Sequence, residues 1–163
     1  MTKTETLKLT TPTDRDAVIT RVVDAPRGMV FDAYTKPELL QRWMLGPPGW
    51  TMPVCEIDLR VGGKYRYEWR SAEGETMGMG GTFKEVVRPV RLVATQVFDQ
   101  DWTSGETIVA TDIVEKNGKS TITTTIRFAS REARDAALQT GMTTGMEAGF
   151  ERLEELLKET ARG

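Results

Sequence analysis

Two patterns of apolar residues divide the chain. Between residues 54 and 128 apolar and polar residues alternate, most clearly at 64–70, where aromatic residues alternate with charged ones. Such alternation is typical of strands with one buried and one solvated face. After Ser130, which can cap a helix, apolar residues recur every three or four positions and predict one long helix. That apolar stripe comprises Leu138, Met142, Met146, Phe150, Leu153 and Leu157.

Turn signals between the strands predict an antiparallel meander. Gly62-Gly63 is a tight connection, residues 72–75 form a turn, and Asn117-Gly118 is a typical hairpin dipeptide. The glycine-rich run 77–81 is predicted to be a strand with a bulge. Residues 120–128 alternate again, so we expect their apolar members on one face of the sheet.

The N-terminal part predicts a strand followed by two short helices. Residues 17–23 (AVITRVV) are mostly β-branched, and Asp24 as a capping residue with Pro26 in the first turn is typical of a helix start. Thr35 and Glu38 have the spacing of a capping box, which predicts a second short helix to about Trp43. Residues 46–49 (GPPG) form a loop, and residues 1–15 are an extension or an edge strand.

Together these elements predict one α+β domain over residues 1–163, with an antiparallel sheet covered by the long C-terminal helix. Four charged residues of that helix are expected on its outer side, away from the sheet: Glu147, Glu151, Glu154 and Lys158.

The composition of the chain excludes several classes of catalytic and metal-binding sites. The chain has 163 residues, no histidine, one cysteine and a net charge of −2. Catalytic triads that use histidine are excluded, as are zinc or iron–sulfur sites built on cysteine clusters. There is no basic run to attract nucleic acid, no apolar stretch that could span a membrane and no motif for a nucleotide cofactor. We expect a cytoplasmic protein without a metal or other cofactor, in which Cys55 is a buried thiol.

Several features indicate an internal cavity. Gly141, Gly145 and Gly149 lie beside the apolar helix stripe, where they either allow close packing, produce a kink near Gly141 or leave room for a ligand. Methionines are suited to a deformable apolar wall, and buried tyrosines need polar partners. The residues predicted to line a ligand site are Trp43, Tyr65, Tyr67, Trp69, Met77, Met79, Met142, Met146 and Phe150.

Other polar residues are assigned to the surface. Glu56, Asp58 and Arg60 alternate with apolar neighbours, as on a solvated sheet face. Asp99, Asp101 and Trp102 are expected in a turn, with Trp102 near the pocket wall.

An ordered series of motifs resembles the START-like (SRPBCC, helix-grip) superfamily. It comprises Asp24-Ala25-Pro26, Val30-Phe31-Asp32-Ala33, Thr35-Lys36-Pro37-Glu38, Arg42-Trp43, Gly46-Pro47-Pro48-Gly49-Trp50, residues 58–63 (DLRVGG) and residues 152–157 (RLEELL). Within the superfamily, the chain is similar to bacterial proteins related to the C-terminal domain of the activator of the heat-shock chaperone ATPase. The resemblance covers about residues 7–157.

The resemblance implies a curved sheet that grips the C-terminal helix, with a cavity between them. It carries over no catalytic residue, since the motifs consist mostly of caps, turns and core positions. The leading hypothesis is a module that binds a small apolar or aromatic molecule. The alternatives are a cyclase- or hydrolase-type enzyme that uses carboxylate or tyrosine chemistry, and a domain that binds a chaperone and modulates its ATPase.

Overall fold

The computed structural model describes residues 7–162, which form one antiparallel sheet and four helices. The strands are β1 (Lys8–Thr10), β2 (Asp16–Val23), β3 (Trp50–Ile57), β4 (Lys64–Ser71), β5 (Thr76–Val87), β6 (Arg91–Phe98), β7 (Thr107–Lys116) and β8 (Lys119–Arg127). The helices are α1 (Arg27–Thr35), α2 (Pro37–Leu40), α3 (Arg131–Leu138) and α4 (Met142–Arg162).

The strand order is β1-β2-β8-β7-β6-β5-β4-β3, and every neighbouring pair is antiparallel. Apart from the contact of β2 with β8, each strand pairs with its neighbour in sequence, as a meander requires. The predicted fold class is confirmed. The edge strand proposed for the N-terminal region is β1, and the part of that region before Leu7 lies outside the described residues.

The predicted long helix is interrupted. Ser130 caps α3, as expected, and its hydroxyl accepts a hydrogen bond from the Ala133 amide at 3.0 Å. The chain then leaves the helical conformation at Gly141, whose φ is +85°, and α4 begins one residue later. Only glycine adopts this φ without strain, so Gly141 marks a turn between two helices and is not in a helix interior.

Two predicted helix caps are wrong. Thr35 does not cap α2, because its hydroxyl donates to the Phe31 carbonyl at 2.8 Å within α1. Asp24 does not cap α1, because the cap position is Pro26 and no side chain caps it. The helix α2 ends at Leu40, and hydrogen-bonded turns continue the chain to Trp43.

The bulge in β5 also differs from its predicted position. The glycine run 77–81 pairs regularly with β4, and the register with β6 shifts between Phe83 and Glu85 instead. The close approach at Gly81 explains that glycine, because a Cβ there would overlap the Thr95 carbonyl group of β6.

The core lies between the concave face of the sheet and α4. Phe150, Leu153 and Leu157 of α4 are buried there, together with alternate residues of β2 and β8. Glu56, Asp58 and Arg60 are exposed, as predicted. Glu151 and Lys158 are exposed on the outer side of α4, whereas Glu147 and Glu154 face the sheet, which corrects the prediction for those two.

Candidate functional site

A cavity of about 610 Å³ lies between the sheet and the N-terminal half of α4. The strands β4 to β8 form its floor, α4 lies across it, and residues 43–47 with Trp50 border it on the side of the short helices. The structure places all nine residues of the predicted ligand site in its lining. Contact of these residues with a ligand stays a prediction.

A continuous row of aromatic rings forms one wall. Alternation along β4 points Tyr65, Tyr67 and Trp69 to the same face, with ring centroids 4.9 and 6.0 Å apart. The row continues from Trp69 to Phe98 at 6.4 Å and from Phe98 to Trp102 at 4.9 Å. Rings at these distances attract one another through their quadrupoles and dispersion, so the wall is internally supported.

Trp43 connects the short helices to α4. Its indole Nε1 donates to the Ala33 carbonyl at 2.9 Å, and its ring stacks on Phe150 at 6.3 Å. Tyr34 packs edge-on against it at 4.8 Å. Because Trp43 contacts both α1 and α4, residues 44–47, which follow it, are held against α4.

The glycines of α4 allow this segment to approach the helix. A Cβ at Gly149 would lie 3.3 Å from the Trp43 carbonyl oxygen, which is closer than ordinary van der Waals contact. A Cβ at Gly145 would lie 3.8 Å from the Gly46 Cα, an ordinary contact distance. Arg152 adds a hydrogen bond to the Gly46 carbonyl at 2.8 Å. Close packing therefore explains Gly149, and Gly145 lies at the edge of the cavity.

The sheet also contributes cavity residues that the sequence analysis did not predict. On β7, Thr107, Val109 and Thr111 face the cavity, and the exposed Ile108 faces outward. Trp102 lies in the connection from β6 to β7, as predicted, and lines the cavity wall. The missed residues of β6 had a readable signal, since Leu92, Ala94, Gln96 and Phe98 alternate along one strand.

The lining is electrically neutral. Within residues 7–162 it contains no Asp, Glu, Lys or Arg side chain. Burial raises the pKa of the phenols of Tyr34, Tyr65 and Tyr67 above their ordinary value, so these hydroxyls stay protonated. The Tyr65 hydroxyl donates to the Thr95 carbonyl at 2.6 Å. The cavity thus offers apolar surface and neutral hydrogen-bonding groups.

Cys55 lies on the edge strand β3, where it is half-buried and packs against the core, so it is less buried than the predicted core thiol. Burial, with a smaller effect of the Glu38 charge, raises its pKa to about 11. A thiol with this pKa is protonated at neutral pH and is a weak nucleophile.

Within the part of the chain that the structure describes, no three His, Cys, Asp or Glu residues are grouped as metal ligands would be. No helix in that part is long and apolar enough to cross a membrane.

Solved structures of bacterial proteins share this architecture. A protein from Rhodobacter sphaeroides is 28% identical, with 95% of this chain and 99% of that chain covered and a TM-score of 0.90. One from Staphylococcus epidermidis is 26% identical, with 92% and 93% covered and a TM-score of 0.80. One from Nitrosomonas europaea is 23% identical, covers 94% and 100%, has a TM-score of 0.83 and bears on the fold alone.

No match was found among curated proteins. The sequence profile described as Activator of Hsp90 ATPase homolog 1-like protein matches residues 24–158, which include α1 and α2, strands β3 to β8 and most of α4. The chain therefore belongs to the Activator of Hsp90 ATPase homolog 1-like family.

Proposed function

We propose that this protein is a cytoplasmic binding module that encloses one small, neutral, largely apolar molecule between α4 and the sheet, without a cofactor. The observation that carries the proposal is the cavity itself, which combines a row of aromatic rings with five methionines in a lining free of charged side chains. Those methionines are Met44, Met77, Met79, Met142 and Met146.

The size of the cavity supports a small-molecule ligand. Its volume of about 610 Å³ lies inside the range of roughly 300–1,000 Å³ that is usual for sites of drug-sized molecules. A void this large within an apolar core costs stability unless something occupies it, because its lining loses dispersion contacts. Methionine side chains adapt their shape, so they can close around ligands of differing outline.

The neutral lining favours binding over acid–base catalysis. An enzyme without histidine needs another acid or base, such as a carboxylate, a phenol or a lysine amine, close to its substrate. The lining described here holds no carboxylate, and burial raises the pKa of its tyrosines, so the hydroxyls are poor bases. A domain that only binds a chaperone through its surface needs no internal cavity and is expected to have a filled core. A cavity of this size therefore also argues against that alternative.

Calorimetric titration with fluorene, a rigid aromatic hydrocarbon, tests the proposal. We expect saturable binding at one site. In Ala94→Phe the new ring enters the cavity from β6, so affinity should fall about tenfold or more while thermal stability is retained.

Ala110→Phe is the matched control. Ala110 lies on β7 opposite Val93, on the outer face of the sheet. The affinity of this variant for fluorene should therefore stay within about twofold of that of the wild type. Absence of saturable binding by the wild type, or equal losses in the two variants, would overturn the proposal.

A further inference from the structure

Two buried polar atoms of the cavity lining have no hydrogen-bond partner in the described structure. They are the indole Nε1 of Trp102 and the hydroxyl Oγ1 of Thr107. Thr107 is only 1% exposed, and both residues line the cavity. Buried polar groups almost always find a partner, because leaving one unpaired costs its full desolvation penalty. Two such atoms in one cavity call for an explanation.

Three other polar groups of the cavity lining are paired by the protein itself. The Trp69 Nε1 donates to the Met44 carbonyl at 2.8 Å, and the Trp43 Nε1 donates to the Ala33 carbonyl at 2.9 Å. The Tyr65 hydroxyl likewise reaches the Thr95 carbonyl. Among the fully buried polar side-chain atoms of the lining, the two unpaired ones lie in or next to the β6–β7 connection.

The connection between β6 and β7 holds the Trp102 indole in place. Asp101 and Ser104, on either side of it, have φ values of +48° and +55°, which non-glycine residues adopt only where their surroundings hold them. The Gly105 amide donates to the Asp101 carboxylate at 2.7 Å, and the Thr103 hydroxyl donates to the Gly105 carbonyl at 2.8 Å.

The start of this connection is fixed from outside the cavity. The Arg66 guanidinium donates to both Asp99 oxygens at 2.8 and 2.6 Å, and the Asp99 amide donates to the Gly78 carbonyl at 2.9 Å. On the inner side, the Phe98 ring packs on the Trp102 ring. The indole N–H is therefore presented by a braced segment.

We infer that Trp102 Nε1 and Thr107 Oγ1 form a polar subsite that binds a hydrogen-bond acceptor, such as a carbonyl oxygen, on an otherwise apolar ligand. The inference rests on the proposed function. An indole N–H can only donate, and a hydroxyl can donate as well as accept. Since the described lining has no cation, the accepting group is uncharged, because a buried carboxylate would lack a counter-charge. The ligand class is thus a neutral ketone, ester or amide with an apolar body.

The test compares fluorenone, a rigid ketone, with fluorene, which has the same ring skeleton without the oxygen. Wild-type protein should bind fluorenone about three- to tenfold more tightly than fluorene, the effect of one good hydrogen bond. Trp102→Phe and Thr107→Val each remove one polar atom and keep an apolar side chain. Each variant should lose most of the preference for the ketone.

Trp69→Phe is the contrasting variant, because the Trp69 N–H already has a protein partner. This change should lower the melting temperature and weaken both probes alike. Trp102→Phe and Thr107→Val should leave the melting temperature of the free protein unchanged or higher, because the atom they remove is unpaired. If these two atoms only stabilised the fold, Trp102→Phe and Thr107→Val would instead lower the melting temperature and weaken both probes alike.

Infrared spectroscopy reads the hydrogen bond directly. The carbonyl stretch of isotope-labelled fluorenone should lie at lower frequency in the wild-type complex than in the Trp102→Phe complex. Equal affinity of the wild type for the two probes would overturn the subsite and leave the proposed function standing. Binding of neither probe would overturn both.

Discussion

The Arg21 guanidinium is fully buried between β2 and α4, where it forms an ion pair with Glu147. A second carboxylate, that of Glu154, lies two helical turns further along α4 with its Oε1 3.6 Å from the Arg21 Nη2. The guanidinium carbon lies 5.7 Å from the centre of the Phe150 ring, which itself lines the cavity. The same Glu147 carboxylate accepts from the Leu7 amide at 3.0 Å. This cluster joins α4 to the sheet beside the cavity.

Arg21→Met should strongly destabilise the protein. The substitution leaves Glu147 and Glu154 facing the sheet without their cation, and breaking a buried ion pair in this way typically costs about 3–5 kcal/mol. Urea denaturation measures the loss.

Arg42→Met is the control, since the Arg42–Glu159 pair also joins the short-helix region to α4 but is half exposed. Exposed pairs contribute about 0–1 kcal/mol, so this variant should unfold close to the wild-type midpoint. Similar losses in the two variants would show that burial does not set the importance of the Arg21 cluster.

The two glycines within α4 should respond differently to alanine. At Gly145 a Cβ meets only ordinary contacts, so Gly145→Ala should gain about 0.5–1 kcal/mol from helix propensity. At Gly149 the Cβ presses on the Trp43 carbonyl oxygen, and the backbone must shift, so Gly149→Ala should show no gain or a loss. Thermal unfolding compares the stabilities of the two variants. Equal gains in stability would contradict the close approach of Gly149 to the Trp43 carbonyl oxygen.

The sequence predicted the fold and much of the site because local periodicity carries both. Alternation along β4 identifies the aromatic wall, and the four-residue spacing of Met142, Met146 and Phe150 identifies the helix face. Both patterns report which side of one element is buried, and they need no knowledge of its partner.

Features that depend on two distant segments were not predicted. Arg21 occupies an inward position between Ile19 and Val23, but only the folded structure shows that Glu147 and Glu154 meet it there. A kink near Gly141 was one alternative for that glycine, but the full interruption was not predicted, because the apolar spacing continues across it from Leu138 to Met142. The pattern of hydrophobic positions does not show whether the polar atoms of Trp102 and Thr107 have hydrogen-bond partners.

Binding of fluorene or fluorenone should be independent of pH between about 6 and 9. The ionisable groups in the described lining are tyrosines, and burial raises their pKa above 10.0. Because the pKa of each phenol is raised in the folded protein, each phenol is neutral at every pH below its ordinary pKa. The stability that depends on the neutral phenol is fully present there, and it is lost only as pH rises through the folded-state pKa. Calorimetry across this range checks the claim. A steep change in affinity would indicate a carboxylate at the ligand and favour the enzyme alternative.

Cys55 should react slowly with iodoacetamide. With its pKa raised to about 11 by burial, its thiolate fraction at pH 8 gives a rate on the order of a hundredfold below that of a free thiol. The rate should still rise about tenfold per pH unit from pH 8 to 9, whereas that of glutathione, the control, begins to level off. Levelling of the Cys55 rate in the same range would contradict the raised pKa.

The central claim is that a ligand enters the cavity, and the methionine methyl groups report this most directly. Five methionines line the cavity: Met44, Met77, Met79, Met142 and Met146. Met29 and Met52 pack elsewhere in the core and serve as internal controls. In protein labelled at the methionine methyl groups, NMR titration with fluorenone should shift the five cavity signals saturably through the ring current, with little change at Met29 and Met52. No saturable shift, or equal shifts at all seven, would contradict the account.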